Sequence, residues 1–211
     1  MSRLVEDAVA RYLRDSCAVL ERAADDAQLR RSLAAIADRM TRTFRAGGKV
    51  LLAGNGGSAA DAQHIAAEFL SRFKLDRSPL PAIALTTDSS VLTAIGNDYG
   101  FAGVFERQVR GLGRAGDVFI GLSTSGKSEN VLAALRAARE LGLATIGFTG
   151  ASGGDMRGLC DFICAAPSDD TALVQQVHLV VAHVVCLLVE QNLFGATQTR
   201  PEMAAAGTRA P

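Results

Sequence analysis

The sequence predicts an α/β protein: a three-layer αβα sandwich around a five-stranded parallel sheet, preceded by N-terminal helices and closed by a long C-terminal helix. Three observations carry this. Short apolar runs at Lys49–Ala53, Ala82–Leu85, Val118–Leu122, Ala144–Phe148 and Phe162–Ala165 have strand length and no polar alternation, the mark of strands buried on both faces. Helical stretches separate them at Ala59–Phe73, Ser90–Ile95, Phe101–Leu112 and Glu129–Leu141, an alternation that builds right-handed βαβ units. The chain of 211 residues is 48% apolar and 21% charged, which supplies one full core and excludes both a disordered chain and a small disulfide-stapled fold.

Residues 3–46 are rich in Ala, Leu and Arg, with Val9, Leu13, Cys17 and Leu20 at helical spacing and a break near Asp25-Asp26. Two helices are expected there, forming a segment, 1–47, packed on a core domain of residues 48–193. Gly47-Gly48 marks the boundary. A last helix is expected from Thr171 to Leu193, started by Ser168-Asp169-Asp170-Thr171 and strongly apolar through Leu179–Leu188. It is too apolar to stand alone, so it belongs at the centre of the monomer or in an oligomer interface, and an interface contribution is expected. The tail 194–211, with Ala204–Ala206, Gly207 and Pro211, reads as disordered.

Lys and Arg number 22, as do Asp and Glu, so no summed field draws nucleic acid or an acidic membrane, and an anionic ligand must be held locally. The absence of Trp and the scarcity of aromatic residues remove the material for base stacking. Cys17, Cys160, Cys164 and Cys186 match neither a CxxC redox pair nor a zinc ribbon and are expected as small apolar core residues. The N-terminus has no signal-peptide pattern and no apolar stretch reaches the ~20 residues of a membrane span, which points to the cytoplasm.

Two loops mimic nucleotide motifs. Gly54-Asn55-Gly56-Gly57-Ser58-Ala59 satisfies the dinucleotide fingerprint, but the carboxylate that should close the next strand is missing, because Asp76 lies in a polar link and Asp88 lies beyond Ala82–Leu85. Gly121-Leu122-Ser123-Thr124-Ser125-Gly126-Lys127-Ser128 matches the P-loop pattern, but if Leu122 is the last core residue of its strand, Ser123–Gly126 is too short to wrap a triphosphate. What both loops share is their place between a parallel strand and a helix, where backbone N–H groups and the helix dipole favour an anion. Ser123, Thr124, Ser125 and Ser128 can donate to phosphate oxygens without a net positive charge. Taken singly, either loop could serve only turns and caps; together they suggest one phosphorylated ligand.

The helix after the first loop places His64 and Glu68 one turn apart on one face, able to grip a metal ion or move a proton, although such a pair is also ordinary on a helix surface. The other histidines, His178 and His183, stand among apolar residues of the last helix, where an idle imidazole is costly to bury. A core histidine bonded to a backbone carbonyl is the reading that suits His178 better than His183.

Gly54-Asn55-Gly56-Gly57-Ser58, His64-x-x-x-Glu68, Gly96-Asn97-Asp98-Tyr99-Gly100, Ser123-Thr124-Ser125-Gly126 with Ser128, and Gln175 followed by His183 together resemble the phosphoheptose isomerase family of the sugar isomerase (SIS) fold, over about residues 5–193. The resemblance implies conversion of sedoheptulose 7-phosphate to D-glycero-D-manno-heptose 7-phosphate, the first step toward the heptose of bacterial envelope polysaccharides such as lipopolysaccharide. It implies zinc, one per subunit, on His64, Glu68, Gln175 and His183, and a homotetramer. Substrate would meet Asn55, Gly56, Gly57, Glu68, Asn97, Asp98, Ser123, Thr124, Ser125, Ser128 and Gln175, with Glu68 and His183 as the proton-transfer pair. One departure is visible: some members carry Asp three residues before the metal Gln, where this chain has Ala172. Two rivals share the fold, a non-catalytic SIS adaptor for a replication initiator protein and an SIS enzyme acting on an amino-sugar phosphate; the adaptor has no reason to keep the four metal-type residues.

An aldose–ketose isomerase needs a base beside two adjacent carbons and an acid or Lewis acid beside their oxygens; Glu68 is the expected base and His183 the expected acid. If Gln175 and His183 are both helical they stand about 12 Å apart along the axis and about 80° apart around it, too far to meet at one ion. Either the helix starts late or two subunits contribute, and an active site at a subunit interface is the expectation.

Overall fold

The structure, a computed structural model, describes residues 3–195. The chain runs α1 (Arg3–Asp25), α2 (Ala27–Arg45), β1 (Val50–Gly54), α3 (Gly57–Leu70), β2 (Ala82–Ala84), α4 (Ser89–Tyr99), α5 (Glu106–Leu112), β3 (Val118–Leu122), α6 (Glu129–Glu140), β4 (Ala144–Thr149), β5 (Phe162–Ala165) and α7 (Thr171–Phe194), with short 3-10 turns at Phe101–Gly103 and Gly154–Gly158. The expected tail begins at Phe194, which closes α7; residues 196–211 lie outside the described residues.

Asp26 separates the first two helices by taking extended backbone geometry and accepting the N–H groups of Gln28 and Leu29. The five strands are parallel, in the order β2-β1-β3-β4-β5. Their alternate side chains feed two cores, as the period of a doubly covered strand requires. Val50, Leu52, Val118, Ile120, Leu122, Ile146 and Phe148 pack under α2, α3 and α7; Leu51, Ala53 and Phe119 pack under α5 and α6.

Three expectations about the helices change, besides α4, which runs past Ile95 to Tyr99 and so carries Asn97 and Asp98. The helix after β1 stops at Leu70 instead of continuing to Phe73, because the N–H groups of Phe73, Lys74 and Leu75 are taken by the Glu190 carboxylate of α7. The segment 101–112 divides into a 3-10 turn and α5. The third change concerns α7, which by length and composition alone could cross a membrane; counting uninterrupted apolar residues missed this because Gln175, Gln176, His178 and His183 punctuate the run. Its placement is that of a core helix. Val174, Val177, Val181, Val185 and Val189 are buried against the sheet and its neighbouring helices, and Glu190 is buried in a polar network.

Among the cysteines, Cys164 and Cys186 are buried core residues with thiols pushed by burial up to about 12, Cys160 is half-buried, and Cys17 lies exposed on α1, contrary to a core role. The exposed thiol sits on a helix whose own outer face is unusually apolar. Leu4, Val5, Val9, Tyr12 and Leu13 are all exposed on α1.

His178 is fully buried, its ring edge-on to Phe148 and its Nε2–H donating to the Thr149 carbonyl at 3.0 Å. Burial drives its pKa down to about 4, against a smaller upward pull from that hydrogen bond. The folded state therefore binds this proton less readily than the unfolded chain, so stability is held above pH 6.5 and lost as pH falls toward 4. The expected loss across that window is at most about 3 kcal/mol. Urea unfolding of the native protein and of His178→Gln from pH 4 to 7 checks this: the native slope should be steeper, and equal slopes would refute it.

Candidate active site

The chain leaves β1 for β2 on one side and later returns to β3 on the other, so the crevice outside the C-terminal ends of β1 and β3 is the topological switch point of the sheet. Gly54-Asn55-Gly56 leads from β1 into α3, and Ser123–Ser128 leads from β3 into α6. Gly121, the first glycine of the P-loop pattern, is inside β3, and Leu122 ends the strand, which leaves the short loop the sequence suggested. Asp26, Asp88 and Asp170 cap α2, α4 and α7 with their carboxylates, while the short α5 starts under Phe105 without a side-chain cap. At the crevice α3 and α6 start under Gly56 and Ser128, also with no side-chain cap. Their first N–H groups are left for an external acceptor.

The serine loop is organised by its own hydroxyls. Ser123 Oγ lies 2.9 Å from Ser128 Oγ and 3.5 Å from Ser125 Oγ, and Ser125 Oγ accepts the Lys127 N–H at 3.2 Å. Thr124 accepts the Gly150 N–H at 3.0 Å through its carbonyl, tying the loop to the end of β4. Gly126 turns at φ +67° against the Gly153 carbonyl, where no Cβ fits. The two loops are stitched together by a reciprocal amide pair: Asn55 Nδ2 donates to Asn130 Oδ1 at 2.9 Å and Asn130 Nδ2 donates to Asn55 Oδ1 at 2.8 Å. Sequence reading missed Asn130, a buried residue of the first turn of α6. Its signal was an amide directly before the core residues Val131 and Leu132.

Beyond the crevice, α7 lies against α3 and brings residues distant in sequence together. His64 Nε2 is 2.8 Å from His183 Nε2 and 3.4 Å from Glu68 Oε1. The imidazole rings meet edge to face, with centroids 5.1 Å apart, and Phe73 stacks on His183 with centroids 5.4 Å apart. The His64, Glu68 and His183 ligand atoms all lie within 4.8 Å of one another, a set that could hold a metal ion. Two nitrogens and a carboxylate oxygen suit zinc, and the exposed His64 leaves one side open.

Gln175 is placed differently. Since α7 begins at Thr171, a late helix start is excluded, and within one chain Gln175 reaches Asp61, donating from Nε2 to Oδ1 at 3.3 Å. Its amide also fills the space where a Cβ on Gly57 would stand. Asp61 was another omission of the sequence reading, although it precedes His64 by one turn on the same helix. It is buried; desolvation raises its pKa above the ordinary carboxylate value, with the Gln175 hydrogen bond and the His64 charge pulling the other way. Asn97 and Asp98 sit exposed in the last turn of α4, where Asn97 Nδ2 donates to Asp98 Oδ1 at 2.8 Å, and among the described residues no hydrogen bond joins them to either loop or to the His–Glu–His group.

Comparison with known proteins agrees with this architecture. A family model described as an SIS domain matches residues 11–150. A phosphoheptose isomerase of Roseiflexus is 64% identical over 162 residues, 77% of this chain and 82% of its own, and one of Bradyrhizobium is 56% identical over 194 residues, 92% and 98%. The structure of a phosphoheptose isomerase from Neisseria gonorrhoeae superposes with a TM-score of 0.83 at 42% identity, covering 89% of this chain and 99% of that one.

The Asn55–Asn130 pair offers a test of the crevice. Replacing Asn130 by Ala leaves a buried amide unpaired and should lower the unfolding free energy by about 1–3 kcal/mol. It should also weaken binding of inorganic phosphate, measured by calorimetry; unchanged phosphate affinity in the variant would separate the pair from the anion site.

Proposed function

The chain belongs to the phosphoheptose isomerase family of SIS-domain proteins, and from that premise we propose that it isomerises sedoheptulose 7-phosphate to D-glycero-D-manno-heptose 7-phosphate through an enediolate, with Glu68 and His183 as the proton-transfer pair. The observation that carries the reading is the convergence of His64, Glu68 and His183 beside a crevice that leaves two helix N-termini uncapped.

The phosphate is assigned to the N-termini of α3 and α6, with Gly56, Gly57, Ser123, Thr124, Ser125 and Ser128 supplying amides and hydroxyls. Asn55, Asn97, Asp98 and Gln175 are assigned to the sugar hydroxyls. Glu68 takes the proton from C1 of the ketose; the electron pair closes a C1–C2 double bond, and O2 receives a proton from His183. Glu68, whose carboxyl proton exchanges with solvent at the intermediate, then delivers a proton to C2, and the O1 hydroxyl gives its proton back to His183 as the C1 aldehyde forms. Zinc fits the donors and is assigned to His64, Glu68 and His183, with Gln175 as a weaker oxygen ligand; when bound it would supply Lewis acidity at the reacting oxygens.

Gln175 and His183 both lie in α7, about 12 Å apart along its axis, and this spacing favours an active site completed across a subunit interface. Exposed Leu4, Val5, Val9, Tyr12 and Leu13 on α1, with Val180 and Val184 on α7, offer the apolar surface for a homotetramer. A phosphorylated substrate and free thiols suit the cytoplasm, and the product feeds heptose synthesis for envelope polysaccharide. The His–Glu–His group argues against a non-catalytic adaptor, which gains nothing from it.

An assay on sedoheptulose 7-phosphate checks these assignments. Glu68→Gln and His183→Ala should each lower kcat by about 100-fold or more, and a chelator should abolish activity that added zinc restores. Full activity in either variant would overturn the proton-transfer pair, and indifference to chelator the metal. Activity per chain should also fall on dilution to monomer; constant activity in a demonstrably monomeric preparation rules out the shared site.

A further inference from the structure

Residues 71–80 follow α3 without regular structure, yet they are held by the most heavily bonded charged pair among the described residues. Glu190, buried in α7, accepts the N–H groups of Phe73 at 3.2 Å, Lys74 at 2.8 Å and Leu75 at 2.9 Å, and the Arg77 Nε–H at 3.1 Å. Burial pushes its pKa up, and these four donors outweigh that push and hold the carboxyl below the ordinary glutamate value. Arg77 is equally committed. Its Nη1 donates to the carbonyls of Phe69 at 2.6 Å, Ser71 at 3.3 Å and Ser78 at 3.1 Å, and its Nη2 donates to the carbonyl of Glu68 at 2.8 Å.

The clamp therefore reaches both members of the proton-transfer pair. Arg77 grips the backbone of Glu68 at the end of α3, and Glu190 follows His183 by seven residues on α7, which returns it to within about 20° of the same helix face. Between these anchors the loop carries Phe73, whose ring lies over the His183 imidazole at an interplanar angle of 26°. His64 closes the edge of the same imidazole at 71°, and the Lys74 ammonium stands 5.2 Å from the Phe73 centroid. A buried ion pair is a poor source of net stability, because desolvation consumes most of its Coulombic gain. A geometric task accounts better for this one.

We infer that Phe73, fixed by the Arg77–Glu190 clamp, is a positioning residue whose ring face holds the His183 imidazole in the orientation that proton transfer to the substrate oxygens requires. The inference rests on the assignment of His183 as the acid. Phe73 touches no reacting atom in this scheme. Its loss should leave substrate binding intact and slow the chemical step, since a displacement of about 1 Å in a catalytic group can cost about 100-fold in rate.

The experiment compares native protein, Phe73→Leu and Phe73→Tyr on sedoheptulose 7-phosphate, with kcat, KM and thermal midpoint measured for each. Phe73→Leu keeps an apolar side chain and loses the flat face. It should reduce kcat by about 10-fold to 100-fold while KM stays within about 3-fold, and Phe73→Tyr should recover most of kcat at a similar thermal midpoint. Unchanged kcat in Phe73→Leu, a rise in KM alone, or a Tyr variant as slow as the Leu variant each overturns the inference. Should Phe73→Leu fail to fold, Phe73→Met is judged by the same criteria. Native protein inactive on this substrate defeats the functional reading instead, whereas active native protein with an equally fast Leu variant defeats only the role of Phe73.

Discussion

The packing of α7 across α3 is the constraint on which the site depends. Residues 64 and 183 are separated by 119 positions, yet their imidazole nitrogens stand 2.8 Å apart because two helices on one face of the sheet are pressed together by the shared core of Ile65, Phe69, Val181, Val185 and Val189. The apolar character of α7 that makes it resemble a membrane segment is what allows it to lie in that core. Its polar residues then become informative: His178 is satisfied by a backbone carbonyl, Glu190 by the loop after α3, and His183 faces His64 and Glu68.

Charge is used sparingly and locally. The balanced chain brings no general attraction for an anion, and the crevice at the switch point answers with two uncapped helix N-termini and a serine loop. Side-chain ion pairs with real burial are placed away from that crevice: Lys49 with Asp117 beneath the sheet's N-terminal end, and Arg77 with Glu190 behind the His–Glu–His group. Phosphate recognition and proton transfer thus occupy neighbouring but differently built regions, amides and hydroxyls in one, titratable side chains in the other.

Most of the fold could be read from the sequence because the central strands β1, β3 and β4 are buried on both faces and read as apolar runs, and each expected strand is present within one or two residues. The helix after β1 is shorter than its sequence suggests because nothing local marks Leu70 as its end; the competitor for the following N–H groups is a carboxylate more than a hundred residues away. In the site, His64 and Glu68 were visible as a one-turn pair and the loops as glycine and serine clusters. Asp61 and Asn130 were not, since one polar residue in a helix turn has no period to betray it and acquires meaning only from Gln175 and Asn55. Cys17 failed the core expectation because helical spacing alone does not say which stripe of α1 meets the rest of the protein.

The fate of the transferred proton tests the chemistry most directly. Isomerisation of sedoheptulose 7-phosphate in deuterium oxide, followed by proton NMR of the heptose product, should show deuterium at C2, because a carboxylate that carries the proton between C1 and C2 exchanges it with solvent. Product formed over many turnovers with only protium at C2 would mean direct hydrogen transfer between the carbons. That result would contradict the role given to Glu68 and, with it, the reason for bringing α3 and α7 together at this point.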